Sequence, residues 1–285
     1  MSANSPAETT PPSSVNLPKE YRMSRAAKLR IARLVVVLSL LGFWEFASGH
    51  LFSTFWVSKP SLIATYIVSW VTAGDFFYHL YFTMTSMLVG FVIGCGLGLA
   101  CGMFLSRSEF LADVLDPFLV AINGIPRVAL APLFVVWFGI DMLPKIVLVF
   151  TLVFFVIFYN TYAGIKSVDR RYTDLAWVMG AGESELFRKV ILPAASPYII
   201  LGIKLSIPYA LIGAIIGEFV ASSAGLGWKI QMETSLYNTT GTMAGLILMM
   251  AIVIVMNSAL NKLEARLLSW RPPQRYGASS SQSPQ

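Results

Sequence analysis

The sequence predicts an all-α membrane protein with about six transmembrane helices. Three observations carry that expectation. Hydrophobic residues make up 56% of the 285-residue chain and charged residues only 13%, whereas about a quarter of a soluble domain is charged. The apolar residues gather in runs of about 20, the length that crosses a hydrocarbon core as a helix. The basic residues between those runs fall mostly on one side of the membrane. Mean hydropathy, at +0.67, agrees.

Residues 1–30 read as a disordered basic arm, rich in Ser, Pro and Thr to about Pro18 and then carrying Lys19, Arg22, Arg25, Lys28 and Arg30. The first span covers about 31–49. A cleavable leader is the rival reading, because Ala47-Ser48-Gly49 resembles a small-residue cleavage site. The long preceding arm and Glu45 inside the run favour an uncleaved span. Ser58-Lys59-Pro60-Ser61 then opens a segment with Ile63, Ile67, Trp70 and Val71 on one face. It is too short to cross and ends near Gly74, so it reads as an interfacial helix.

The second span, about 80–105, repeats glycine every fourth residue at Gly90, Gly94, Gly98 and Gly102, a smooth stripe for close helix packing. The spacing leaves open whether the partner lies in the same subunit. Arg107 to Asp116 reads as a polar turn. The third span, about 118–140, contains Asn123, Pro126, Arg127 and Pro132, and both prolines should break or kink it. The fourth, about 146–165, is cleanly apolar.

Residues 166–196 form the longest water-facing stretch between two apolar segments, with DLAWVMGAGESELFRKVILP at 174–193. Tyr172-Thr173-Asp174 can cap a first short helix whose Leu175, Val178 and Met179 share one side. Gly180 and Gly182 can take the left-handed geometry that ends a helix. A second short helix begins at Glu183 and Glu185, ends at Arg188 and Lys189 in accord with its dipole, and is limited by Pro193. The fifth span, about 198–220, carries Lys204, Pro208 and Glu218. A polar loop, 222–241, leads to the last span at about 243–260 and a disordered tail, 271–285.

A net charge of +6 raises nucleic acid as a partner, but its distribution argues for topology instead. With six spans and a cytosolic start, 16 of the 21 basic residues lie inside; only Lys59, Lys145 and Lys229 lie outside. That bias puts both termini and the 166–196 stretch in the cytosol.

No catalytic set survives inspection. His50 and His79 fall on the outer side, far from Ser184; no HExxH and no Gly-rich Lys-Ser/Thr phosphate loop occurs. Cys95 and Cys101 lie six residues apart on one span, about 9 Å in rise, and cannot bond to each other. Ionisable residues inside spans are the functional candidates, since charge there costs several kcal/mol. Arg127 can line a cavity or pair with Asp113 or Asp116. Lys204 can snorkel to the surface, and Glu218 lies near the outer end. Fourteen residues apart, Lys204 and Glu218 project from one helix face with Leu211 between them. These four, Arg127, Lys204, Leu211 and Glu218, are the candidate translocation path.

The 174–193 stretch resembles the EAA loop of ABC-importer permeases. Asp174-Leu175-Ala176 stands for Glu-Ala-Ala, Gly180 for the following glycine, and Val190-Ile191-Leu192-Pro193 for the end, with spacing intact. Asp for Glu and Leu for the first Ala are departures. The Pro126-Arg127 region, and Gly217-Glu218 through Gly227, are similar to the nitrate, sulfonate and taurine group. The resemblance implies a type I permease fold, a five-helix core preceded by one extra span, in the cell inner membrane. It implies that Asp174, Leu175, Ala176, Val178, Met179, Gly180, Val190, Leu192 and Pro193 couple to cytosolic ATPase subunits. It further implies a second permease copy and an extracytoplasmic substrate-binding protein, with ATP and Mg bound by the ATPase and no cofactor in this chain. An ion-coupled secondary transporter is the alternative; it needs a self-contained coupling site, usually with inverted repeats. A membrane-embedded hydrolase lacks its nucleophile or metal set.

Overall fold

The computed structural model describes residues 25–267. The termini assigned above to a disordered arm and tail lie outside them, except that 25–30 are helical. Ala, Lys, Leu and Arg are good helix formers, so the first span extends back through them. The elements are α1 (Arg25–His50), α2 (Pro60–Thr72), α3 (Asp75–Leu105), α4 (Glu109–Asn123), α5 (Ala131–Phe138) and α6 (Met142–Lys166). They continue as α7 (Arg170–Val178), α8 (Glu183–Leu186), α9 (Leu192–Val220), α10 (Leu226–Ser235) and α11 (Thr239–Leu267).

The centre is a three-helix layer in which α6 packs against α3 on one side and α9 on the other. The glycine stripe makes the first contact. A Cβ on Gly90 would stand 2.6 Å from Val149 Cβ, one on Gly94 2.9 Å from Val153 Cβ, and one on Gly102 2.9 Å from Thr161 Cβ. The stripe therefore serves packing within this subunit. Val149, Val153, Ile157, Ile207, Ala210 and Ala214 fill the seam.

Two expectations change and a third is narrowed. The 107–116 stretch is the start of α4 and not a turn: Ser108 Oγ accepts the amide of Leu111 and caps it. The third span is broken, as its prolines predict, but at one place only, with α4 and the 127–138 segment bent by 72°. The break falls at Gly124–Pro126, where a proline pushes its predecessor out of the helical region. Pro132 sits in the first turn of α5, where its missing N–H costs nothing. The 222–241 loop holds α10, anchored by the buried Leu226 and Ile230 one turn apart.

On the predicted outer side a polar network ties α2, α3 and α10. Tyr66 donates to Glu233 at 2.6 Å, Lys229 pairs with Asp75 at 3.1 Å, and Trp70 donates to Asp75 at 2.9 Å. Burial, then the Glu233 carboxylate, pushes the Tyr66 phenol up. Helix α1 is held at its outer end, where Glu45 accepts from the Ser61 amide (3.0 Å) and hydroxyl (2.7 Å) at the N-terminus of α2. Its remaining apolar surface is exposed, as lipid contact requires.

Candidate functional site: the Gly180 turn and the helix-break cavity

The water-facing stretch folds as two short helices around Gly180. Asp169 caps α7, accepting from the Arg171 amide at 2.9 Å, so the cap lies upstream of Tyr172-Thr173-Asp174. At the other end Ala181 N–H donates to Ala176 O (3.0 Å) and Gly180 N–H to Trp177 O (2.9 Å). This is a Schellman turn, and it puts Gly180 at φ +84°. Gly182 stays at φ −74° and needs no special geometry.

Beyond the turn, α8 begins with Glu183 and does not stop at Pro193. The helix widens at Phe187–Ile191 and runs on into α9, because Pro193 falls where α9 needs no N–H. Leu186 is buried, and Phe187, Ile191 and Leu192 pack on Ile165, Ala195 and Ile199. The Arg107 guanidinium lies 4.7 Å over the Phe187 ring, fastening the α3–α4 turn to the same place.

The second short helix is thus anchored while the first is presented outward. Val178 is 86% and Met179 79% exposed, and Leu175 and Asp174 are exposed beside them. Ala176 and Val190 are half-buried, and Pro193 is exposed. A soluble-facing helix that turns large apolar side chains outward on a fixed turn is shaped for a protein groove. A cavity of about 520 Å³ lies behind it, lined by Ser106, Arg107, Trp177, Glu183 and Ser184 among others.

The four path candidates separate. Leu211 is buried in the seam between helices. Glu218 is fully buried: its carboxylate accepts from the Thr83 hydroxyl (2.8 Å) and the Gly227 amide (2.7 Å). Lys204 pairs with Glu264 on α11 rather than reaching for the surface. The shared face inferred from the fourteen-residue spacing exists, but it is turned toward α3, α10 and α11: Lys204 and Leu211 pack against helices, and Glu218 borders a separate pocket of about 410 Å³ between α9 and α10 with Phe219, Trp228 and Gln231. Lys145, assigned outside, is buried and donates to Ser222 at 2.6 Å.

Arg127 lines a cavity among the helices. It stands at the helix break, its guanidinium 4.2 Å over Phe155, and donates to Asn123. Asp113 and Asp116 make no ion pair with it among the described residues. Asn123, Phe155, Tyr159, Asn160 and Tyr209 join it around about 330 Å³. Sequence reasoning missed Tyr159 and Tyr209; polar residues facing Arg127 from α6 and α9 become visible only when the helix rotations are known.

Residues 90–269 match the family model described as "binding-protein-dependent transport system inner membrane component". The chain belongs to that family. This permease is 33% identical over 239 residues to a permease of Bacillus subtilis (strain 168), SsuC, assigned to aliphatic sulfonate transport, covering 84% of this chain and 87% of the other. It is 31% identical over 237 residues to the formylaminopyrimidine transport permease ThiX of Halalkalibacterium halodurans, covering 83% and 94%. Inward-facing MetNI, a methionine ABC transporter, shares the fold with a TM-score of 0.58 at 20% identity, over 65% of this chain and 92% of that one. The permease is a multi-pass, all-α subunit of an ABC importer with the type I fold, and its family implies ATPase and substrate-binding-protein partners.

Proposed function

We propose that this permease carries a small organic compound of the sulfonate, taurine or formylaminopyrimidine kind into the cytosol, as one of two identical copies. The names of its relatives support the substrate range. Cytosolic ATPases bind ATP and Mg and do the hydrolysis; this chain is non-catalytic. The residues from Asp174 to Pro193 are the coupling element, and both termini lie in the cytosol. The observation that carries the reading is the outward apolar face of Leu175, Val178 and Met179, held by the Gly180 turn. Closure of the ATPases would move that face and, through the continuous α8–α9 helix, the membrane core beside Arg127.

The test is isolation of the tagged full-length chain from its native membrane. An ABC ATPase should come with it, and the accompanying binding protein, titrated with sulfonates, taurine, nitrate and formylaminopyrimidine, should name the substrate. A chain that transports with no ATP-binding partner would return the reading to an ion-coupled transporter.

A further inference from the structure

Three cations lie in or beside the packed membrane layer, and they are treated differently. Lys204 has Glu264, and Lys145 has Ser222, with the Glu218 carboxylate near enough to act on it electrostatically. Arg127 makes no ion pair with any described residue; it has an aromatic face and the Asn123 side chain and carbonyl, all of its hydrogen bonds passing through Nη2. Its depth makes this costly. Phe155, on which it lies, is the fourteenth of the 25 residues of α6, so the guanidinium sits about halfway across. A charge there costs several kcal/mol unless something neutralises it.

Resting on the importer reading above, we infer that the cavity between the broken α4–α5 segment, α6 and α9 is an oxyanion-recognition site for the transported compound. Arg127 takes the anionic head group through the N–H groups that Asn123 leaves free; a guanidinium fork matches a sulfonate or carboxylate edge. Tyr159 and Tyr209 add phenolic hydroxyls and Asn160 an amide, while Phe155 fixes the plane of the guanidinium. Asn160 spends one N–H on Val156 O (2.8 Å), which leaves its carbonyl for an amino or hydroxyl group on the compound. The volume of about 330 Å³ suits a small molecule. Placement at mid-depth, far from either headgroup layer, selects a soluble anion over a lipid phosphate.

The test uses the full-length chain in zwitterionic nanodiscs, with benzenesulfonate as probe, its neutral counterpart benzenesulfonamide as control, and tryptophan-detected thermal unfolding as readout. Benzenesulfonate should raise the midpoint and benzenesulfonamide should not. Arg127→Gln should weaken the apparent affinity about tenfold or more, the size of a lost charge-assisted hydrogen bond, and Arg127→Lys should keep part of it. Equal shifts from both compounds, or an undiminished shift in Arg127→Gln, would overturn the site. A shift given by phosphatidylglycerol in place of the sulfonate would make Arg127 a lipid contact, and also overturn it. No sulfonate shift, with loss of the dimer in Arg127→Gln, would assign the cation to a carboxylate of a second copy. ATPase recovery from the same preparations separates these outcomes from failure of the importer reading, because Arg127→Gln should retain the ATPase.

Discussion

Glu218 shows what a single buried charge can require of its surroundings. Its carboxylate is received by the loop that follows its own helix, and Gly225 is at φ +119° with no room for a side chain: a Cβ would stand 2.1 Å from Glu218 Cδ. Replacing Glu218 by Ala leaves the Gly227 amide and the Thr83 hydroxyl without their acceptor, a loss of about 1–3 kcal/mol. Gly225→Ala should also destabilise. In the Glu218→Ala background it should cost less, because the atoms its Cβ strikes are gone. Thermal unfolding of the four proteins tests this, and strictly additive costs would contradict it. Residue spacing placed Lys204, Leu211 and Glu218 on one helix face, and they are. Which way that face turns depends on α3, α10 and α11, and periodicity carries relative rotation only. Gly180 was readable because its role is local: a turn that ends α7 and needs φ +84°.

Among the elements, α3 is the one whose packing can be tested most simply. Gly94 faces Val153 of α6, whereas nothing lies within 4 Å of a Cβ added at Gly96, two residues along. Gly94→Leu should therefore push α3 from α6 and lower stability by about 1–3 kcal/mol, the usual cost of overpacking. Gly96→Leu should leave the unfolding midpoint near that of the parent. Equal effects would mean that α3 meets α6 by another face. The stripe was legible in the sequence; its partner was not, since small residues at every fourth position say that something approaches closely and not what. Helix α10 was hidden for a different reason. Lys229, Gln231, Glu233, Thr234 and Ser235 make its composition polar, and only the buried Leu226 and Ile230 mark a helix. The break at Gly124–Pro126 was foreseen from proline chemistry, though the site was shared wrongly with Pro132. It is this break that brings Arg127 to the middle of α6.

At the scale of the whole molecule, the anchored α8–α9 helix joins the Gly180 turn to the membrane core without interruption, so the orientation of the chain decides what the turn can meet. The charge bias predicts Ser184 in the cytosol and Ser223 and Ser235 outside; all three are exposed. Single cysteines at these positions, in a protein lacking Cys95 and Cys101, should react with an impermeant thiol reagent in intact cells at 223 and 235 only. Labelling at 184 would invert the topology and remove the turn from any cytosolic ATPase. Granted that orientation, the central claim is that the Gly180 turn presents α7 to the ATPase. No atom lies within 4 Å of a Cβ added at Gly180, so a substitution there acts through the backbone alone, at about 1–2 kcal/mol for a residue forced left-handed. That is too little to unfold the membrane core and enough to tilt α7. The direct measurement is ATPase recovery and ATP-driven uptake by the parent and Gly180→Val, matched for amount in the membrane, with Ser184→Ala as control. Gly180→Val should be present at normal level and lose most of the bound ATPase and uptake, and Ser184→Ala should keep both. Full uptake by Gly180→Val, with no ATPase recovered from either protein, would contradict it.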